Sequence, residues 1–277
     1  MPLHEPTAAE AVLRPTHVVV DLSVLSDNLG AIQAHVGSGV GVMPILKANA
    51  YGHGLVEVAR HLDAGGVSIL GVAYLEEALL LREEGVRADI LVLGGLVNAQ
   101  IPLFLEHDIV LCASSIDKLQ AIEAAAAATN RRARVHLKID TGMERVGVHW
   151  YSAEGLLEAS LACSHVQVEG VFSHFANSDA EDLTHARLQL ERFTEVLRFY
   201  ERRSLPTPTR HMANSGAIVQ LPEAHLDLVR PGILLYGVYP EPTLPRAVPV
   251  RQALSWVSRV VYFKVVQPGN PVSYGSL

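Results

Sequence analysis

VMPILKANAYGHGLVEVARHL, residues 42–62, carries the reading of the fold in one line. Val42 to Leu46 is too short and too apolar for an exposed helix. With Gly37, Gly39 and Gly41 punctuating the turn before it, it reads as a buried strand. Leu55 to Leu62 then reads as a helix. The same step recurs along the chain. Ser68–Ala73 is an apolar run followed by helical Leu75–Glu84, and Asp89–Leu93 and Ile109–Ala113 follow suit. Arg134–Ile139 is the fifth such strand and Val166–Ser173 the sixth, with Arg210–Ala213 and Leu226–Val229 as the seventh and eighth. After the sixth, Leu183, Leu190, Phe193, Leu197 and Tyr200 share one helical face, and Ser178 with Glu181 forms a capping box. Eight βα units in series predict an α/β fold, a closed (β/α)8 TIM barrel. A doubly wound open sheet is the competitor, but it needs no eighth strand.

Composition sets the frame. With 49% apolar and 18% charged residues in 277, the chain buries a sizeable core. A net charge of −7 argues against nucleic acid or an anionic membrane as partner, while leaving room for a local cationic pocket. Cys112 and Cys163 sit in apolar surroundings and suit a reducing cytoplasm without a disulfide framework. Met1 to Thr16 has no long apolar core and does not read as a secretory signal, and no run elsewhere is long enough to span a membrane. A cytoplasmic protein is expected, and no metal ligand set stands out.

Two flanks stand outside the barrel pattern. Residues 1–40 contain a strand, His17 to Val20, and a helix with Leu25, Leu29, Ile32 and Val36 at helical spacing, expected to pack on the barrel or on a β domain. The barrel itself is expected over 41–239. In 240–277, Pro240, Pro242, Pro245 and Pro249 make a linker. Leu254 to Val266 reads as a strand opening a β domain, Pro268-Gly269-Asn270 as a turn, and Val272 as the start of a second strand. Two strands make no independent domain.

In such a barrel reactive groups gather at the carboxyl ends of the strands. The unusual polar residues fall there. Lys47 ends the first strand, where a packed stem would aim its amine into a cavity and desolvation would activate it. Lys138, Asp140 and Arg145 lie on or after the fifth, in HLKIDTGMERVGV (136–148). His174 ends the sixth, in VFSHFANSD (171–179). Asn214 and Ser215 follow the seventh, in RHMANSGA (210–217), and Arg230, Gly232 and Ile233 end the eighth, in LDLVRPGILLYG (226–237). Loops after the last two strands commonly bind phosphate through backbone N–H groups. A lysine amine, a phosphate cradle and a guanidinium together fit pyridoxal 5'-phosphate.

On these motifs, and on PVSYGSL (271–277), the chain from about His17 to its last residue resembles the alanine racemase family, pyridoxal-phosphate enzymes with a barrel and a C-terminal β domain. The resemblance implies interconversion of L-alanine and D-alanine, supplying D-alanine to peptidoglycan. Lys47 would be the Schiff-base lysine and one catalytic base, and Tyr274 the second, reaching into the other subunit of a homodimer. Tyr51, Ser215, Gly232 and Ile233, with Asn214 beside them, would hold the phosphate. Arg230 would face the pyridine nitrogen, His174 would pair with it, and Arg145 would sit near the phenolic oxygen as the substrate-side residue. Lys138 matches a lysine that the family often carries as a carbamate. Two other readings stand beside this one: a non-catalytic barrel that only binds the cofactor, and a broader racemase acting on serine.

Singly, the same residues have plainer roles. His53 and His174 read as hydrogen-bonded structural histidines, Asp140 as a brace for its loop, Lys138 as its ion-pair partner, and Arg145 and Arg230 as surface ion-pair residues. The constellation of Lys47, Tyr51, Ser215 and Arg230 outweighs these. Full family members continue past the SYG motif, so most of the β domain is expected to be missing. The chain as given is expected to bind the cofactor better than it racemises.

Overall fold

The computed structural model describes residues 15–276. The reading of Met1 to Thr16 as no signal segment therefore falls mostly outside the described residues. Contacts divide the described residues into two compact units, 22–253 and a second that holds 15–21 with 254–276. These boundaries differ from those expected at 40 and 239. Helix α1 (Leu22–Val36) belongs to the larger unit because it buries Leu25, Leu29 and Ile32 in that unit's core, and Asn28 donates to the carbonyls of Leu235 and Arg251. The proline-rich stretch also stays with this unit: Tyr239 Oη donates to the Val248 carbonyl at 2.7 Å, and Val248 N–H donates back.

The larger unit is the barrel. Its strands are β2 (Gly41–Val42), β3 (Ile69–Val72), β4 (Asp89–Val92), β5 (Leu111–Ala113), β6 (Ala133–Asp140), β8 (Val166–Phe172), β9 (Thr209–His211) and β10 (Leu228–Val229). Neighbouring pairs run parallel: β10 with β2, β3 with β4, β5 with β6, β6 with β8 and β8 with β9. Backbone bonds stitch the remaining joints. Leu46 N–H donates to the Gly71 carbonyl, Val110 N–H to Ile90, and Arg230 N–H to Ala213, so the ring runs through all eight strands. A short β7 (Val148–His149) pairs with the end of β6.

Strand alternation sorts the side chains into two cores. Met43, Ile45, Leu91, Val110 and Leu228 fill the barrel interior. Leu46, Leu70, Ile90, Val92, Leu111 and Val135 face outward onto the helices. Those helices are α2 (Leu55–Ala64), α3 (Leu75–Glu83), α4 (Ile101–Glu106), α5 (Ile116–Thr129), α6 (Ala153–Leu161), α7 (Thr184–Arg202) and α8 (Ser215–Gln220). Helix α7 begins at Thr184, so the expected Ser178–Glu181 capping box does not form. Ser178 instead donates its hydroxyl to Asn214 Oδ1 at 2.6 Å, while Asp182 accepts from Thr184 N–H. Near the start of the strands, Arg134 forks onto both oxygens of Asp89 at 2.6 Å and reaches Glu169 at 2.8 Å, a braced ion network away from the reactive end.

The smaller unit holds one antiparallel ribbon, β1 (His17–Val20) with β11 (Leu254–Val257). The strand expected to run on to Val266 stops at Val257, and none begins at Val272. A strand needs a partner's N–H and C=O groups, and among the described residues β1 alone offers them, over four positions. The expected turn at 268–270 is present, with Gly269 at φ +85°.

Candidate active site

The carboxyl ends of the strands open onto a cavity of about 720 Å³. Lys47, Tyr51, Lys138, Arg145, His174, Asn214, Ser215, Arg230, Gly232 and Ile233 all line it. Ten residues singled out from the sequence on five different strand ends thus converge on one space. Tyr274 belongs to the smaller unit, where its ring is fully exposed.

Lys47 closes the extended run after β2 and is followed by an unusual turn. Ala48, Asn49, Ala50 and Tyr51 all have φ between +53° and +56°, a left-handed turn made without glycine. Such a conformation costs an L-residue roughly 1–2 kcal/mol each, so surrounding contacts must hold it. Asn49 Oδ1 accepts from Leu55 N–H at 2.8 Å, and His53 Nδ1 lies 3.1 Å from the carbonyls of Ala50 and Tyr51 while its ring packs on Tyr236. His53 is therefore structural. The Lys47 side chain is exposed at the cavity rather than desolvated as expected, with Nζ 5.8 Å from the centre of the Tyr51 ring.

Tyr51 brings its hydroxyl against Gly232. A Cβ on Gly232 would stand 2.5 Å from Tyr51 Oη, so only glycine lets the two meet. Ser215 Oγ accepts from the N–H groups of Gly232 and Leu234 at 3.0 and 3.2 Å, drawing the seventh and eighth loops together. Gly216 packs just as tightly: its Cβ would lie 2.7 Å from the Ser178 carbonyl. The Tyr51 and Ser215 hydroxyls thus meet at a cradle of two closely packed loops that tolerates no extra carbon, a pair of O–H donors suited to a small anion such as phosphate.

Arg230 is wholly buried, which corrects its reading as a surface ion-pair residue. Its guanidinium donates to the carbonyls of Ser173 and Met212, to His174 Nδ1 at 3.0 Å and to His211 Nδ1 at 2.9 Å. Arginine has no acceptor, so both imidazoles must present a bare Nδ1 and carry their proton on Nε2. His211 Nε2 then donates to His136 Nδ1 at 2.7 Å. The three histidines are a neutral chain. Burial and the nearby Arg230 charge hold His174 and His211 well below the usual imidazole range, and burial followed by the Arg134 and Arg230 charges pushes His136 down to about 3. Burial lowers Arg230 itself to about 9, leaving it cationic at neutral pH.

Lys138 is buried and lies 4.4 Å over the Phe172 ring. It does not pair with Asp140. That carboxylate is committed to its own loop, accepting from the N–H groups of Gly142, Met143, Glu144 and Arg145 at 2.8–3.2 Å. Asp140 is the brace that fixes the Arg145 backbone. Burial first, then Arg230, lowers the Lys138 amine to about 7. Sequence reasoning passed over His136, His211, Phe172 and Asp179, of which the last two line the cavity. His136 had a signal: it stands two residues before Lys138 on one strand, and so on the same face.

Residues 20–240 match the family model described as "Alanine racemase, N-terminal domain". The chain is 44% identical over 276 residues to the alanine racemase of Chlorobaculum tepidum, covering 98% of this chain and 72% of that relative. Against alanine racemase 2 of Caldanaerobacter subterraneus subsp. tengcongensis it is 40% identical, covering 95% of this chain and 68% of the relative. The fold superposes on the alanine racemase of Clostridium difficile 630 with a TM-score of 0.88 at 31% identity, covering 95% of this chain and 70% of that one. For the alanine racemase of Streptomyces coelicolor A3(2) the TM-score is 0.87 at 36% identity, covering 97% and 72%. With a barrel of this topology, a lysine and a buried guanidinium in one cavity, and relatives this similar over nearly its whole length, the chain belongs to the alanine racemase family.

Proposed function

We propose that the chain holds pyridoxal 5'-phosphate in this cavity and interconverts L-alanine and D-alanine by moving one proton on each face of the substrate's Cα. One observation carries the reading: the exposed amine of Lys47, the Tyr51–Ser215–Gly232 cradle and the buried Arg230 line the same cavity. The residues fit the group. Lys47 would take its aldehyde, and Tyr51, Ser215, Gly232 and Ile233, with Asn214 as brace, would hold its phosphate. Arg230 would face its ring nitrogen and His174 would steady Arg230. When bound, the group supplies an electron sink that acidifies the Cα–H bond.

The chain's own residues govern the proton transfers. Arg230 offers only donors and keeps its charge at neutral pH, so it would leave a ring nitrogen facing it unprotonated. A modest sink favours prompt return of the proton over loss of a substituent. Lys47 Nζ would serve one face and Tyr274 Oη the other, the tyrosine coming from the second copy in a homodimer. Arg145, fixed at its backbone by Asp140, would orient the substrate side. The Lys138 amine, lowered to about 7, is neutral often enough to attack carbon dioxide, lose a proton and become a carbamate facing Arg145. The role assigned is D-alanine supply for peptidoglycan in the cytoplasm. No helix among the described residues is long and apolar enough to cross a membrane.

The test is D-alanine formation from L-alanine, against D-serine formation from L-serine, for the chain supplied with the cofactor. Lys47→Ala and Tyr274→Phe should each abolish turnover. A chain that takes up the cofactor at Lys47 yet forms neither product would overturn the racemase reading and leave a binding barrel.

A further inference from the structure

We propose that Glu77 is a positioning residue for Lys47, clipping the backbone just beyond the lysine to the loop after β3. The proposal rests on the reading of Lys47 as the cofactor lysine. Glu77 lies in the first turn of α3, and its carboxylate is shared between two loops. Oε1 accepts from Ala48 N–H at 2.7 Å. Oε2 accepts from Ala73 N–H at 2.8 Å and, more weakly, from Tyr74 N–H at 3.4 Å. A glutamate at this helical position ordinarily serves the N–H of the residue just before its own helix. Here the short bonds go elsewhere, one of them to a segment 29 residues away.

That segment is the strained one. Ala48 opens the left-handed turn, and its N–H is the first donor of that turn, the kind left without a partner inside a helix. On the other side of the lysine, Leu46 N–H donates to the Gly71 carbonyl at 2.8 Å. Lys47 is thus bracketed, by a strand bond before it and by the Glu77 clip after it. Both anchors lead to the β3 region, so the Cα of Lys47 is fixed relative to one wall of the cavity, while its side chain is exposed there.

The chemistry requires a carboxylate. Three N–H donors converge, and only an ionised carboxylate offers acceptors at both oxygens. In Glu77→Gln the amide NH₂ would face an N–H and one clip would open. In Glu77→Ala both would open. Glu77→Asp, one methylene shorter, would not span the two loops.

The experiment uses the full chain, its Glu77→Gln, Glu77→Ala and Glu77→Asp variants, and Lys47→Ala as control. Fragment-resolved hydrogen–deuterium exchange reads the Ala48 amide without cofactor. The rate of attachment of pyridoxal 5'-phosphate, trapped with borohydride and mapped by mass, reads Lys47. Exchange at Ala48 is expected to rise about tenfold in Glu77→Ala, with Glu77→Gln and Glu77→Asp between it and the wild type, and attachment at Lys47 in Glu77→Ala to slow by about ten- to a hundredfold, as for a reacting group displaced by an ångström. The urea midpoints should fall as the lost bonds and the lost helix cap require, while every variant stays folded in the assay buffer, so that slowed attachment reads positioning and not unfolding. Unchanged exchange at Ala48, or attachment at the wild-type rate in Glu77→Ala, would overturn the proposal. A wild-type chain with no adduct at Lys47 would overturn the cofactor reading and this proposal with it, and the exchange data would tell the two failures apart.

Discussion

Lowering the pH from 7 to 5 should strike the buried histidine chain, and His136 gives the effect a size. Its imidazole is pushed from the ordinary 6.5 down to about 3, chiefly by burial. Between those values the unfolded chain binds a proton that the folded chain refuses. Stability is therefore lost as the pH falls through the unfolded value, and the loss levels off only near the folded one. At pH 5 that is 1.5 units below the unfolded value, or about 2 kcal/mol from His136. His211 acts in the same direction. The clean comparison is His136→Gln, whose carbonyl can still accept from His211 Nε2–H but does not titrate. Urea unfolding followed by far-UV circular dichroism at pH 7, 6 and 5 should show the wild type losing about 2 kcal/mol more than the variant. At a slope of about 3 kcal/mol per molar, that is a midpoint difference of roughly 0.7 M. Parallel losses in the two proteins would refute the neutral tautomer chain deduced from Arg230.

Lys138→Met should raise the urea midpoint at pH 7 by a few kcal/mol equivalents, since it removes a buried amine lowered to about 7. The folded chain refuses that proton above pH 7, so the wild type should recover toward the variant as the pH rises to about 10. Gly232→Ala would drive a methyl into Tyr51 Oη and should weaken pyridoxal phosphate binding at least about tenfold, read by absorbance titration. Asp140→Asn puts an amide nitrogen against one of four backbone donors and should cost about 1–3 kcal/mol, with KM for L-alanine rising as the Arg145 loop loosens.

Much of the barrel was legible because parallel strands covered on both faces read as apolar runs between turns. Val42–Leu46, Asp89–Leu93 and Arg134–Ile139 announce themselves in this way. What failed were readings that depend on distant partners. Ser178 looks like a helix cap locally, but Asn214 takes its hydroxyl. Leu254–Val266 has strand composition throughout, yet only the four residues opposite β1 are paired. Lys138 and Asp140 stand two apart on one strand and invite an ion pair, but the Asp140 loop claims the carboxylate first. Among the site residues, Lys47, Arg230 and Ser215 were legible from their places at strand ends. The left-handed turn at Ala48–Tyr51 was not, because Asn49 alone of its four residues visits positive φ readily, and Glu77 was hidden with it.

Arg230 shows how such a site solves a problem of charge. A guanidinium buried at the end of β10 ordinarily demands a carboxylate, yet no ion pair to it is found among the described residues. A carboxylate would tie up the donors and cancel the charge that the ring nitrogen is proposed to meet. Two backbone carbonyls and two neutral imidazoles serve instead, since each offers a lone pair and no net charge. The cost appears elsewhere. His174, His211 and His136 must stay unprotonated beside a cation: His174 and His211 take their tautomer from Arg230, and His136 takes its own from His211. The stability of the barrel in mild acid and the charge at Arg230 are therefore two consequences of one hydrogen-bond chain, and a substitution that protonates any member should disturb both.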